Sequence, residues 1–520
     1  MTGTLTGAHL LLRCAGALGV RACFANPGTT ELALVRALEE AKEIRPVLGL
    51  FEGVCTGAAD GYGRIAGLPA LTLLHLGPGL ANGMANLHNA RRAHTPIVNI
   101  VGDHATWHLP YDAPLTSDIA GLAAWASSQV IGLRTLADIP TAMRAAIKAS
   151  CGAPGAIATV IAPSDLMENE VAAQPPTVRE TIQRAAPVAV DAQRLNRAAQ
   201  ALRAGPVILL LGGDALSERG QRAAARISAA TGARLIMESY PAVVPRGGGL
   251  PYLERLAYFP QDVIAQLGTA TVMLAGALAP VSYFGYPGQP SQLIPGDRLV
   301  QLSRPGEDGC LALEALVDAL GPAADLPGVV TAPSAGGSGA SFTPMDVAET
   351  LVAELPEGSI VSVEGSTCGG PYLQRAHRAK AHTVMTNTGG AIGQGIPCGL
   401  GAAIARPGSR VVCLQSDGSA QYTLQALWTI AREGLDVTVI IAANHRYAIL
   451  QTELRRAGAD IDGAACALMT RLDSPRIDWV ALARGYGVPA ERIESSESFQ
   501  RALRHSLQSP GPCLLECQLA

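Results

Sequence analysis

Two polar residues close apolar runs 27 positions apart: Asp417, after RVVCLQS, and Asn444, after VTVIIAA. The stretch between them, QYTLQALWTIAREG, has a helix-forming pattern. In a strand–helix–strand unit that spacing returns the second strand beside the first, so both side chains emerge at one sheet edge. A carboxylate, an amide oxygen and neighbouring backbone carbonyls make a hard oxygen site suited to Mg²⁺, which retains water and binds phosphate oxygens as well. Ser419 and the start of the following helix would supply hydroxyl and N–H donors to those phosphates. Taken alone, Ser416-Asp417-Gly418 is also an ordinary turn, because Gly tolerates positive φ and Asp bonds its own backbone. Asn444 makes the combination specific.

The same search along the other strand ends collects NPGTTE (26–31), LFEG (50–53), LHLGPGLANG (74–83), GDHATWH (102–108) and EGSTCGG (364–370). Glu52 ends the apolar run VLGLF and opens a Gly- and Ala-rich helix, a poor place for a merely solvated charge. His75 ends a buried strand and could trade protons at neutral pH; the competing reading is a satisfied core histidine. His104 and His108 have an i,i+4 spacing that suits a metal, but no third ligand is evident.

These residues need parallel strands to carry them. VRACFAN, ALTLLHL and PIVNIVG read as strands early in the chain, PVILLLGGDAL and TATVMLAGAL in the middle, and SIVSVEG, RVVCLQ and VTVIIAAN late. TTELALVRALEEA reads as a helix capped by Thr29 or Thr30, with glutamate in its first turn. Near-continuous apolar strands alternating with helices predict parallel sheets covered on both faces, with ligands beyond the carboxyl ends of the strands. A polar, proline-containing segment at 164–190 and a Gly/Ser/Ala/Pro-rich segment at 325–343 divide the 520 residues into blocks 1–165, 187–325 and 343–520. The expected fold is therefore α/β, with three doubly wound parallel-sheet domains. Only 4% of residues are aromatic, while Ala, Val, Leu and Gly abound, which suits such packing better than a β-sandwich.

A net charge of −4 without any Lys/Arg cluster argues against nucleic acid or an anionic membrane surface as partner. No run approaches the roughly 20 apolar residues of a spanning helix. Eleven cysteines without a CxxC pair, and no signal peptide, predict reduced thiols and a cytoplasmic protein.

On these motifs the chain resembles the thiamine-diphosphate enzymes of the acetolactate synthase, pyruvate oxidase and benzoylformate decarboxylase superfamily, over nearly its whole length. The family's Gly-Asp-Gly and Asn-Asn pair reads Ser416-Asp417-Gly418 and Ala443-Asn444 here. The resemblance implies Asp417, Asn444 and the Arg446 carbonyl as Mg²⁺ ligands, and Gly418 and Ser419 beside the diphosphate; Ser416 adds a side chain where the family has glycine. LFEGVCTGAADGYGRIAG matches the family segment whose glutamate, Glu52 here, bonds the aminopyrimidine and helps generate the ylid. Ile392, in GGAIGQGIP, falls where the family places a bulky aliphatic residue beneath the folded cofactor. Gly390 and Gly393 would let the backbone come close, and Ser366 and Thr367 would help hold the aminopyrimidine or diphosphate. The three domains would be pyrimidine-binding, central and diphosphate-binding.

ANPGTTEL and LHLGPGLANGMANLHNA look most like benzoylformate decarboxylase, which implies Thr29 as a substrate contact and His75 as a catalytic histidine. That enzyme's second histidine has no counterpart in the loop APVSYFGYPG, where Tyr283, Phe284 and Tyr286 could line an apolar pocket. Where acetolactate synthases carry a catalytic glutamine, GDHATWH offers His104. Those synthases hold FAD in the central domain, but ILLLGGDAL lacks GxGxxG and gives a flavin no support. The expected activity is that of a thiamine-diphosphate- and Mg²⁺-dependent 2-oxo acid decarboxylase or carboligase, working as a homodimer or homotetramer with active sites at the subunit interface. Alternatives are an acetolactate-synthase-type large subunit and a non-catalytic paralogue. A Mg²⁺ phosphohydrolase would need Asp where Gln415 stands.

Overall fold

The computed structural model describes residues 5–171, 181–321 and 341–519. Parts of both connecting segments read from the sequence, 172–180 and 322–340, lie outside the described residues. The architecture is mixed α/β, with three sheets that are parallel apart from one strand pair.

The first sheet contains β1 (Ala22–Asn26), β2 (Arg45–Leu48), β3 (Ala70–His75), β4 (Ile97–Asp103), β5 (Gln129–Gly132) and β6 (Ile157–Pro163), in the order β2-β1-β3-β4-β6-β5. The second holds β7 (Val207–Leu211), β8 (Arg234–Met237), β10 (Glu254–Arg255), β11 (Thr271–Ala275) and β12 (Leu299–Ser303), in the order β10-β8-β7-β11-β12. The third is built from β13 (Ile360–Val363), β14 (His382–Thr386), β15 (Val411–Ser416), β16 (Val437–Ala443), β17 (Ala490–Ile493) and β18 (Cys513–Gln518). To these is added β9 (Val243–Arg246), which lies between β8 and β10 in the chain yet pairs antiparallel with β14. The middle of the chain thus covers an edge of the third sheet that would otherwise offer unpaired backbone groups.

Central strands such as VILLL, VVCLQ and VTVIIAA are buried along their length, as strands covered on both faces must be. Helix α1 (Glu52–Ala66), which follows β2, and α4 (Gly395–Ala405), which follows β14, pack so closely that one apolar cluster runs from the first sheet into the third. A side-chain carbon on Gly61 would fall 1.9 Å from the Cys398 carbonyl oxygen, and one on Gly401 would fall 1.8 Å from that of Ala58. The Gly/Ala content of both helices is what permits this approach. Between them in the chain come α2 (Leu76–Arg92), after β3, and α3 (Ser366–Arg375), after β13.

One local expectation changes. Thr29 and Thr30 do not cap a long helix; they lie in a 3₁₀ turn, Thr29–Glu31, followed by the helix Leu32–Leu38. The cause is Glu31, whose carboxylate accepts the Gly28 N–H at 2.8 Å and tightens the turn. Among the described residues no helix is long and apolar enough to cross a membrane.

Candidate active site

Two groups of polar side chains gather at strand ends, one on the third sheet and one on the first. On the third, β15 pairs with β16 so that Ser416 lies opposite Ala442, and Asp417 and Asn444 leave the sheet side by side. Asp417 is 1% exposed; its carboxylate accepts the Gly418 N–H at 2.9 Å and the His445 N–H at 2.6 Å. Burial pushes its carboxyl above the ordinary range. The nearest basic side chain beside it is His445, whose Nδ1 lies 3.9 Å away, a weak partner for a buried carboxylate. Asn444 Oδ1 accepts the Arg446 N–H at 3.1 Å, and Asn444 Nδ2 donates to Thr367 Oγ1 at 2.9 Å. A buried carboxylate short of a cation, next to an amide oxygen, fits a hard divalent ion.

Thr367 is drawn into this group, while Ser366 begins α3 with an exposed side chain. Gly418 packs under Tyr447, whose ring would lie 2.6 Å from any side-chain carbon there. Ser419 turns inward: its hydroxyl accepts from Gln415 Nε2 at 3.0 Å and donates to the Ser416 carbonyl at 3.2 Å. Ser416 Oγ faces Gly365, which has room for it only because it lacks a side chain.

Ile392 stands at the top of the 387–394 loop, 36% exposed, and Gly390 and Gly393 on either side take φ +78° and +98°. Gly393 N–H donates to Glu364 Oε1 at 2.5 Å, and Gly395 N–H to Glu364 Oε2. Tyr283, from the central unit, brings its hydroxyl against Gly390, and Phe284 packs edge-on to Tyr283.

On the first sheet, Glu52 opens α1 and is 7% exposed, with Asn82 Nδ2 donating to its Oε2 at 3.0 Å. Its other oxygen faces Gly79, which also borders His75. His75 ends β3, and its Nδ1 lies 2.8 Å from Glu31 Oε2. Glu31 has no exposed surface and also accepts the Thr30 hydroxyl at 2.6 Å. A carboxylate only accepts, so Nδ1 of His75 carries the proton and Nε2 is left for exchange. Thr29 is exposed beside this pair. His104 follows β4, with its N–H bonded to Asp103 Oδ1 at 2.8 Å, its ring edge-on to His108, and its Nε2 buried without a partner among the described residues. No group of three metal-binding side chains occurs among the described residues, so the His104–His108 spacing stays a pair.

Within one chain the two groups are apart. Helix α4 packs across the middle of α1, and Gln394, just before its start, donates to Asp60 at 3.1 Å. At 1.5 Å per residue, roughly 12 Å of helix separates Asp60 from Glu52. Gln394, two residues past Ile392, thus meets α1 about two turns from Glu52, and Thr388 of the same loop accepts from Arg64 one turn further on at 3.3 Å.

Glu31, Asn82, Glu364 and Gln415 are polar residues that reading the sequence missed. All four lie inside the quoted strand and strand-end motifs, so their positions are visible in the sequence; their inward orientation is not.

Residues 5–122 match the thiamine pyrophosphate enzyme N-terminal TPP binding domain, and residues 367–517 match the C-terminal TPP binding domain. A Mycobacterium tuberculosis protein provisionally named acetolactate synthase large subunit IlvX is 47% identical over 98% of each chain. Benzoylformate decarboxylase of Pseudomonas aeruginosa is 28% identical over 96% of each. Among solved structures, the thiamine diphosphate-dependent 4-hydroxybenzoylformate decarboxylase of Rhodococcus jostii superposes with a TM-score of 0.86 over 99% of both chains, at 24% identity, a likeness of fold.

Proposed function

The chain belongs to the thiamine pyrophosphate enzymes, and on that footing we propose a Mg²⁺-dependent 2-oxo acid decarboxylase or carboligase that completes its active sites between two copies of itself. The observation that carries this reading is the Glu31–His75 pair at 2.8 Å, grouped with Glu52 around Gly79. Bound thiamine diphosphate supplies a carbon nucleophile for the ketone and an electron sink for the departing CO₂.

The chain's own residues do the rest. Asp417, Asn444 and the Arg446 carbonyl would hold Mg²⁺ and through it the diphosphate, with Gly418, Ser419, Ser366 and Thr367 around them. Glu52 would hold a ring nitrogen of the aminopyrimidine, its carboxylate kept in place by Asn82. Ile392, with Gly390 beside it, would support the rings from below. His75, held by Glu31, would give or take a proton at Nε2. His104 would offer a second polar group to the reacting acid, and Thr29, Tyr283 and Phe284 would line the substrate side. Because the Ile392 loop meets α1 about two turns from Glu52, a homodimer or a homotetramer built from dimers is the assembly that would unite them.

For the central sheet a flavin stays possible but has no support in the sequence, where ILLLGGDAL lacks GxGxxG. A cleft of about 850 Å³ lies against its strand ends, lined in part by Arg91, Arg92, Trp125 and Glu238. There Glu238 faces the Gly213 N–H. All eleven cysteines are free and nine of them buried, in keeping with a reducing, cytoplasmic setting.

Acyloin formation is the second reading, favoured by the 47% identical relative named for acetolactate synthase. One experiment tests both: a panel of 2-oxo acids with thiamine diphosphate and Mg²⁺, with and without an acceptor aldehyde, read by mass spectrometry. Aldehyde products support decarboxylation and mixed acyloins support carboligation. Absence of cofactor binding in calorimetry would refute both.

A further inference from the structure

The loop that carries Ile392 is shaped from outside its own domain. Asn89, fully buried near the end of α2, pairs with Ala391 through both amide atoms: Nδ2 donates to the Ala391 carbonyl at 2.7 Å, and Oδ1 accepts the Ala391 N–H at 3.1 Å. The Asn89 carbonyl accepts the Thr388 hydroxyl at 2.8 Å, and neighbouring His88 Nε2 lies 3.0 Å from the Gly389 carbonyl. The fit is close enough that a side-chain carbon at Gly389 would fall 2.5 Å from Asn89 Oδ1.

On the other side of Ile392, Gly393 is fixed by its N–H to Glu364 and by its carbonyl, which accepts the Thr423 hydroxyl at 2.6 Å. Ile392 is therefore one residue between two clamps, one from the first sheet's helix and one from the third sheet. Within the loop, Asn387 Nδ2 also donates to the Ala391 carbonyl at 2.8 Å and its Oδ1 accepts the Gly390 N–H at 2.8 Å. Loss of the first clamp would therefore leave Ala391 on this local support alone, with its N–H unpaired and the isoleucine looser between Gly390 and Gly393.

We infer that Asn89 is a positioning residue, which sets the height of Ile392 beneath the cofactor by gripping Ala391. The inference rests on the proposed cofactor site. It acts through the loop, and Asn89 itself touches neither cofactor nor substrate.

The test compares full-length wild type, Asn89→Ala and the isosteric Asn89→Asp, the last being retained if the alanine variant does not fold. The Asp variant keeps the acceptor for Ala391 N–H but turns a donor toward the Ala391 carbonyl into a second acceptor. In the cofactor-free proteins, amide hydrogen exchange of peptides spanning 387–394 should rise at least about tenfold in either variant, with little change in peptides from β15 or β16. With thiamine diphosphate and Mg²⁺ added, deuterium exchange at the thiazolium carbon should slow at least about tenfold while the cofactor Kd moves less than about threefold. Wild-type exchange rates on both measures would overturn the inference, as would a uniform rise in exchange across the protein, the mark of general destabilisation. If wild type binds no cofactor, the proposed function falls, and the amide exchange of the loop alone then decides whether Asn89 positions it.

Discussion

The ends of the first and third sheets solve one problem in different ways. Each places its main functional residue just before a non-glycine residue in the left-handed region: Leu76 (φ +52°) after His75, and His445 (φ +54°) after Asn444. Such backbone persists only where the surroundings over-determine it, at a cost of order 1–3 kcal/mol each. At the first sheet the constraint comes from side chains, through Glu31, Thr30 and Asn82. At the third it comes mostly from backbone N–H groups: those of Gly418 and His445 bind Asp417, and that of Arg446 binds Asn444. Side-chain networks suit groups that must move protons, because they fix a tautomer and can be tuned one atom at a time. Backbone donors suit an ion site, where position matters and the charge must wait in place for a cation.

If that division holds, Glu52→Gln should be the most damaging change to chemistry. It should slow deuterium exchange at the thiazolium carbon by about 10²–10⁴ while leaving cofactor affinity near wild type; unchanged exchange would refute the role of Glu52. Asp417→Ala should do the opposite, weakening binding of thiamine diphosphate with Mg²⁺ by more than about 10² in calorimetry. Chelating the metal from wild type should release the cofactor in the same way, and retention after chelation would break the comparison. A smaller effect is expected from Glu31→Gln, which keeps the shape but removes the carboxylate acceptor of His75. Turnover should drop by about 10-fold or more with cofactor affinity unchanged; full activity would return His75 to a packing role.

The central sheet provides the smallest effect and a control. Burial pushes the Glu238 carboxyl up to about 7. The folded protein then holds its proton to higher pH than the unfolded chain does, so the stability linked to this group is present in acid and lost as pH rises through about 7. The melting temperature of wild type should fall from about pH 6 to about pH 8, with a shallower fall in Glu238→Gln. Cofactor binding should not follow that change; if it did, the central unit would be coupled to the two site halves.

Much of this was legible in the residues. Strands buried on both faces announce themselves as unbroken Val, Ile and Leu runs, and the 27 positions from Asp417 to Asn444 are one strand–helix–strand repeat, which the β15–β16 register reproduces. Glu31 was read as a first-turn helix residue because solvent is the default for a glutamate near a helix start. Only the approach of His75 and Gly102 from neighbouring strands makes it a buried acceptor. The sequence suggests the Ser419 hydroxyl as a phosphate donor; in the fold its proton goes to the Ser416 carbonyl.

The amino-acid sequence alone determined the α/β class, the strand-end location of the chemistry and the Asp417–Asn444 pairing, because periodicity and spacing are local properties of the chain. Tertiary structure decided which polar groups face each other: Glu31 with His75, Asn89 with Ala391, and Gln394 with Asp60, about two turns of α1 from Glu52. Those relations depend on how separate elements pack, through contacts between distant residues such as Asn89 and Ala391, 302 positions apart, and no local pattern encodes them.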